Sequence, residues 1–386
     1  MDIVLFSFDK LRGRVGRAHH FARELARRHR VTFVDPPESL LRSARLRTTA
    51  ETVEDGLVHV RLAGGLPGRR WRPVHVLNEL RWLRVIGGLL RQCNWGARGT
   101  RVCLHMLPVW EMAAEALQPD VTVYDVHDDW RNMRPNPRRL TERLEGDHAR
   151  SADIIVSASA ATERNFAELG RTTHPLPNAC EPEHFARAMT EAEADDLAGI
   201  PRPRIMFIGG VEESFDTDTV LHVARAMPDV SFVVIGPQIR PQRALRGQAN
   251  VHMLGERPYD ELPRYLAGAD ACWIPYRMTP RVMGRDCIKL YEYLASGRPV
   301  VSAPLPRAVE LTEHMHVTDG TADGMAAACR AALADDSATR REARVTAARE
   351  NSWASRAADL ERLIDRSARA GSGRGEGGGE GGRDEE

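Results

Sequence analysis

Lysine is almost missing from this chain of 386 residues. Of its 54 lysines and arginines, only Lys10 and Lys289 are lysines. Formal net charge is zero, so no overall field draws in nucleic acid. The six cysteines (Cys93, Cys103, Cys180, Cys272, Cys287 and Cys329) show no Cys-x-x-Cys or Cys-x-x-His spacing. That excludes the common zinc frameworks, and the thiols read as reduced and mostly buried in a cytosolic protein. No apolar run reaches the length of a membrane span. Met1-Asp2 brings no basic n-region, and IVLFSF reads as a strand, so no signal peptide is expected.

What is present is unevenly placed. Residues 1–180 carry 28 basic against 21 acidic residues, and residues 181–386 carry 26 against 33. A basic first half suits an anionic or membrane-borne partner, although an arginine-rich coding bias gives the same count. Short apolar strands alternate with helices along both halves. The first half has strands at 2–7, 31–34, 57–62, 101–106, 121–125 and 153–157. The second has strands at 204–208, 231–235, 250–254, 270–274 and 299–302. Such alternation predicts parallel sheets covered on both faces. The expected fold is α/β, two doubly wound Rossmann-like domains facing a central cleft. The expected boundaries are 1–185 and 186–349, then a helix over 350–366 and a disordered tail over 367–386.

The one lysine of the second half sits in the most informative segment, GRDCIKLYEYLASGRPVVSAP (284–304). A helix over 286–296 would put Arg285, Lys289, Glu292 and Ser296 along one face. Gly297 would stop it, and Pro299 to Ser302 would start a buried strand. A lysine one turn before a carboxylate can hold a phosphate beside two sugar hydroxyls. The same spacing also fits a solvated ion pair worth only ~0.2–0.5 kcal/mol.

Three second-half segments, FIGGVEESFDTDTVLHVARAMPDVSFVVIGP, NVHMLGERPYDELPRYLAGADACWIPY and KLYEYLASGRPVVS, resemble in order and spacing the nucleotide-sugar domain of GT-B glycosyltransferases, specifically the large retaining family four. RVGRAHHFARELARRHRVTFVDPP, VYDVHDD, ERLEGDHARSADIIVSAS and PLPNACEPEHF extend the resemblance over most of 1–366. The resemblance implies transfer of a sugar from a nucleoside diphosphate sugar to an acceptor hydroxyl, with retained configuration. Glu292 would hold the donor ribose, and Lys289 with Arg285 or Arg281 its diphosphate. Gly209-Gly210 would let backbone approach the phosphates, and Glu256-Arg257-Pro258 would border the nucleobase. Gly13 and Gly16 would form the loop under the donor phosphates. The last helix would cross back onto the first domain. No metal and no cofactor beyond the donor co-substrate are expected.

Two departures from the family pattern stand out. The family's partner of Glu292, eight residues upstream, is replaced by Gly284, leaving Asp286 as the nearest carboxylate to stand in. GGVEESFDTD lacks the cations that relatives carry after the first strand of this domain.

For the acceptor, the end of strand 121–125 offers Asp125, His127 and Asp128 as base candidates. Packing of His127 and turn capping by Asp128 are the plain alternatives. His19 and His20 are the next suspects. Segment 69–95 interleaves Trp71, Trp82 and Trp95 with arginines. It fits either core packing or peripheral contact with the inner membrane face, where a lipid-linked acceptor would lie. Two rival functions remain at this point, a nucleotide-sugar 2-epimerase and a donor-binding protein with lost or altered transfer.

Overall fold

The computed structural model describes residues 1–372 except 44, 69–70, 111, 131–137, 240–241 and 336. Most of the tail expected to be disordered, and Arg69-Arg70 of the basic aromatic segment, lie outside the described residues. The chain divides into two compact units, Met1–Pro177 with Arg356–Glu386, and Asn178–Ser355. The first unit thus ends at Pro177 rather than near 185. The helix Pro182–Ala186 packs instead on the second-unit helices Ile288–Ala295, Leu262–Ala267 and Ala338–Glu350.

The first unit holds β1 (Asp2–Phe6), β2 (Arg30–Val34), β3 (Thr49–Glu54), β4 (Leu57–Arg61), β5 (Arg101–His105), β6 (Val121–Val126), β7 (Ile154–Ser157) and β8 (His174–Pro175). Their order is β3-β4-β2-β1-β5-β6-β7-β8. Every pairing is parallel except β3 with β4, an antiparallel edge that corrects the all-parallel expectation. β3 escapes the sequence pattern because five of its six residues are exposed. Such a strand carries no apolar signal, and the turn through Gly56, at φ 77°, makes the pairing. The final helix runs Trp353–Ser372, past the expected stop at 366, because its alanines and arginines keep favouring helix. Within this unit Glu361 of that helix accepts from Arg28 at 2.8 Å and meets His29 at 2.9 Å.

The second unit holds β9 (Arg204–Ile208), β10 (Ser231–Ile235), β11 (Val251–Gly255), β12 (Ala271–Ile274), β13 (Val300–Ser302) and β14 (His316–Val317), ordered β11-β10-β9-β12-β13-β14 and all parallel. Alternate residues feed two cores. Met206, Val233, Cys272 and Val300 pack on one face, and Phe207, Phe232, Trp273 and Val301 on the other. Burial on both faces explains the unbroken apolar runs.

In each sheet the chain works outward on one side of its central strand and then returns to the other side. The reversals fall at β1/β5 and β9/β12. Doubly wound sheets bind ligands outside the carboxyl ends of such strands, because the flanking loops part there.

Candidate functional site

At the β9/β12 reversal the chain leaves β9 through Gly209. A Cβ there would lie 2.1 Å from Lys289 Cε and 2.8 Å from its Nζ, so only glycine leaves room for the lysine. Gly210 follows, half-buried. A Cβ on Gly236, directly after β10, would lie 2.1 Å from the Gly209 carbonyl oxygen, so a glycine there leaves room for that backbone. Lys289 Nζ stands 5.8 Å from the ring centres of both Phe207 and Tyr276. Burial opposes its charge, but Tyr276, Cys287 and Glu292 more than offset that, so it stays an ammonium.

Lys289 and Glu292 lie on the helix Ile288–Ala295, which starts two residues later than expected. Arg285 and Asp286 therefore precede the helix rather than extending its face. Burial raises the Glu292 carboxyl to about 7, with Lys289 opposing and Glu181 adding to the rise. Glu181 accepts from the Tyr259 hydroxyl at 2.8 Å, and Tyr259 stacks on His184 at 4.6 Å. Desolvation, with both carboxylates adding to it, suppresses ionisation of the half-buried Tyr259. Glu181 and Tyr259 were missed in the sequence reading. The signal was the carboxylate inside PNACEPEHF, whose partners lie some 80 to 110 residues further along the chain.

Other expected donor residues have partners within the protein. Asp286 Oδ2 accepts from the Asn178 backbone N–H at 2.6 Å and the Tyr291 hydroxyl at 2.8 Å. The Asn178 side chain donates to the Asp286 carbonyl at 2.8 Å. Asp286 thus fastens the 178 segment to the start of the helix Ile288–Ala295. Arg257 is turned into a surface cluster, with Nη2 2.6 Å from Asp196 and Nε 2.6 Å from the Tyr265 hydroxyl. Arg285 Nη1 donates to Glu212 at 3.2 Å.

In the first unit Gly16 precedes the helix Arg17–Ala26 in ordinary extended backbone, with Asp9 Oδ2 3.6 Å from where its Cβ would stand. Arg17 grips Asp125 with two bonds, Nε to Oδ2 at 2.8 Å and Nη2 to Oδ1 at 2.9 Å, and also donates to the Leu176 carbonyl. Asp125 is 1% exposed, and both of its carboxylate oxygens are taken by Arg17. His127 is buried, its ring centre 3.9 Å from that of Phe8 and 5.1 Å from that of Trp130. Asp128 remains partly exposed. Its charge helps burial push the Asp9 carboxyl to about 6, against the pull of Arg14. Asp9 was also missed, although it lies three residues after β1. His19 Nε2 lies within 2.9 Å of the Lys10 carbonyl and 3.1 Å of that of Leu11, clamping the loop after β1.

The glycosyl transferases group 1 family model matches residues 202–335. The Bacillus subtilis (strain 168) protein named "Putative teichuronic acid biosynthesis glycosyltransferase TuaH" is 25% identical over 279 residues, 67% of this chain and 70% of that protein. Sucrose-phosphate synthase from Thermosynechococcus elongatus superposes with a TM-score of 0.72 at 15% identity, over 96% of this chain and 99% of that one. Anabaena HepE in complex with UDP and glucose superposes with a TM-score of 0.67 at 15% identity, over 95% and 99%. These likenesses do not favour the epimerase alternative. The chain is a glycosyltransferase of the GT-B fold, with a group 1 transferase domain at residues 202–335.

Proposed function

We propose that the second unit binds a nucleoside diphosphate sugar and that the enzyme moves its sugar, with retained configuration, to an acceptor hydroxyl. The observation that carries this is Lys289 laid over Gly209 at the sheet's reversal, with Glu292 one turn further along the same helix. In this reading Lys289, Arg281 and Arg285 face the diphosphate, a metal-independent arrangement, and Gly209-Gly210 admit it to the backbone. Glu292 accepts from the ribose hydroxyls, and Tyr259 flanks the base. Fixed charge there stabilises the departing diphosphate. Asp128 and Asp9, both partly exposed, are the carboxylates placed to draw the acceptor proton, with His127 packed beneath them. HepE, with UDP and glucose bound, supports a uridine donor. The test is a thermal-shift screen against UDP-, GDP- and dTDP-sugars. The matching donor at 100 times its dissociation constant adds about 2.7 kcal/mol of stability. No shift with any of them would defeat the reading.

A lipid-linked acceptor is supported by the helix Arg72–Gln92. Trp82, Leu83, Ile86 and Leu90 of this helix are buried, as core packing requires. Yet Leu77, Leu80 and Val85 stay exposed on it, Trp71 directly before it is 67% exposed, and Arg72, Arg81 and Arg84 lie between them. Apolar and arginine side chains together fit an anionic lipid surface. No helix among the described residues is long and apolar enough to cross a membrane, so contact would be peripheral, at the inner face. The protein should sediment with anionic vesicles and not neutral ones, and salt should release it. Negligible sedimentation with both would favour core packing of the segment and a soluble acceptor.

A further inference from the structure

The loop after β9 holds an anion of the protein's own. Glu212 Oε1 is 3.2 Å from Arg285 Nη1, and Oε2 is 3.9 Å from Arg281 Nη2. The Ser214 hydroxyl donates to Oε1 at 3.1 Å. Glu212 lies three residues after Gly209, the residue on which Lys289 rests. So a carboxylate sits on two of the cations that the donor reading assigns to a diphosphate.

Three features make this contact exchangeable. First, the side chains of Glu212, Arg281 and Arg285 are 28%, 30% and 23% exposed, so water can replace the partners as the contact opens. Second, one carboxylate is too few acceptors for two guanidiniums, which carry about five N–H donors each. Arg281 Nε is buried without a hydrogen-bond partner among the described residues. Third, a carboxylate and a phosphate present the same charge sign and the same forked geometry to an arginine. A diphosphate simply brings more oxygens.

We propose that Glu212 is a placeholder for the donor diphosphate, held by Arg281 and Arg285 before the donor binds and displaced when it enters. The inference rests on the donor reading above. It gives the acidic loop GGVEES, where relatives carry cations, a function. Between turnovers Glu212 keeps two arginines beside Lys289 from repelling one another and from trapping stray anions. After transfer it competes for the same arginines and helps expel the product diphosphate. The cost is weaker binding of any diphosphate than the three cations alone would give.

The test is calorimetry with UDP, inorganic pyrophosphate and uridine on wild type and Glu212→Gln. The amide keeps the shape and loses the charge. UDP and pyrophosphate should bind about tenfold tighter to the variant, equivalent to ~1.4 kcal/mol, with uridine unchanged. Glu212→Ala must give the same sign. In an Arg281→Gln/Arg285→Gln background the gain must vanish, because the competitor then has nothing to occupy. Equal or weaker UDP binding by Glu212→Gln would overturn the placeholder and make Glu212 a scaffold for the arginines. UDP binding by neither wild type nor variant would instead overturn the donor reading itself.

Discussion

Asp125→Ala lowers the unfolding free energy by about 3–5 kcal/mol in denaturant titration. The loss comes from what is left behind. Arg17 is 2% exposed and Asp125 1% exposed, and their two bonds of 2.8 and 2.9 Å form a fork-to-fork pair. Removing the carboxylate takes two charged bonds from a buried guanidinium that still donates to the Leu176 carbonyl at 2.9 Å. Replacing both, as in Arg17→Met/Asp125→Leu, should recover most of the loss, because buried pairs barely exceed a well-packed apolar substitute. An Asp125→Ala protein as stable as wild type would mean the pair carries little, and Asp125 would return as a base candidate.

Glu292→Gln lowers UDP affinity by roughly 1.5–3 kcal/mol at pH 8, about tenfold to a hundredfold, because charged acceptors make the stronger hydrogen bonds. The difference between the proteins should shrink as the pH falls below about 7, where burial leaves the wild-type carboxyl protonated. The sign follows from a carboxyl whose folded value lies above its ordinary 4.5. Its contribution to stability is fully present below that ordinary value and is lost as pH rises through about 7. Ribose hydroxyls that favour the ionised form offset this loss. The stabilisation by UDP should therefore grow from pH 6 to pH 8 in wild type relative to Glu292→Gln. Parallel pH profiles for the two proteins would show that Glu292 does not meet the ligand.

The sheets were legible because strands buried on both faces must be apolar throughout, as RIMFI and SFVVI are. β3 was not, since an exposed edge strand carries no pattern and is defined by its partner. The helix Ala338–Glu350 was also missed, because its alanines and arginines give no apolar stripe. Within the site, Lys289 and Glu292 could be read from spacing along one helix. Residues in loops could not. Asp286 looked like a substitute carboxylate, but its partner Asn178 is 108 positions away. Glu212, Glu181, Tyr259 and Asp9 likewise gain their surroundings only when loops from separate strands converge.

The β9/β12 reversal is proposed as a diphosphate site with a ribose grip beside it. Paired calorimetric titrations of UDP and uridine into wild type and Lys289→Ala test it most directly. Lys289 Nζ lies over Gly209, 5.8 Å from the Tyr276 ring centre, and stays an ammonium, the charge a bound diphosphate would meet. The account predicts that Lys289→Ala loses UDP affinity about tenfold or more while uridine binds as before. Unchanged UDP affinity in a folded Lys289→Ala protein would contradict it.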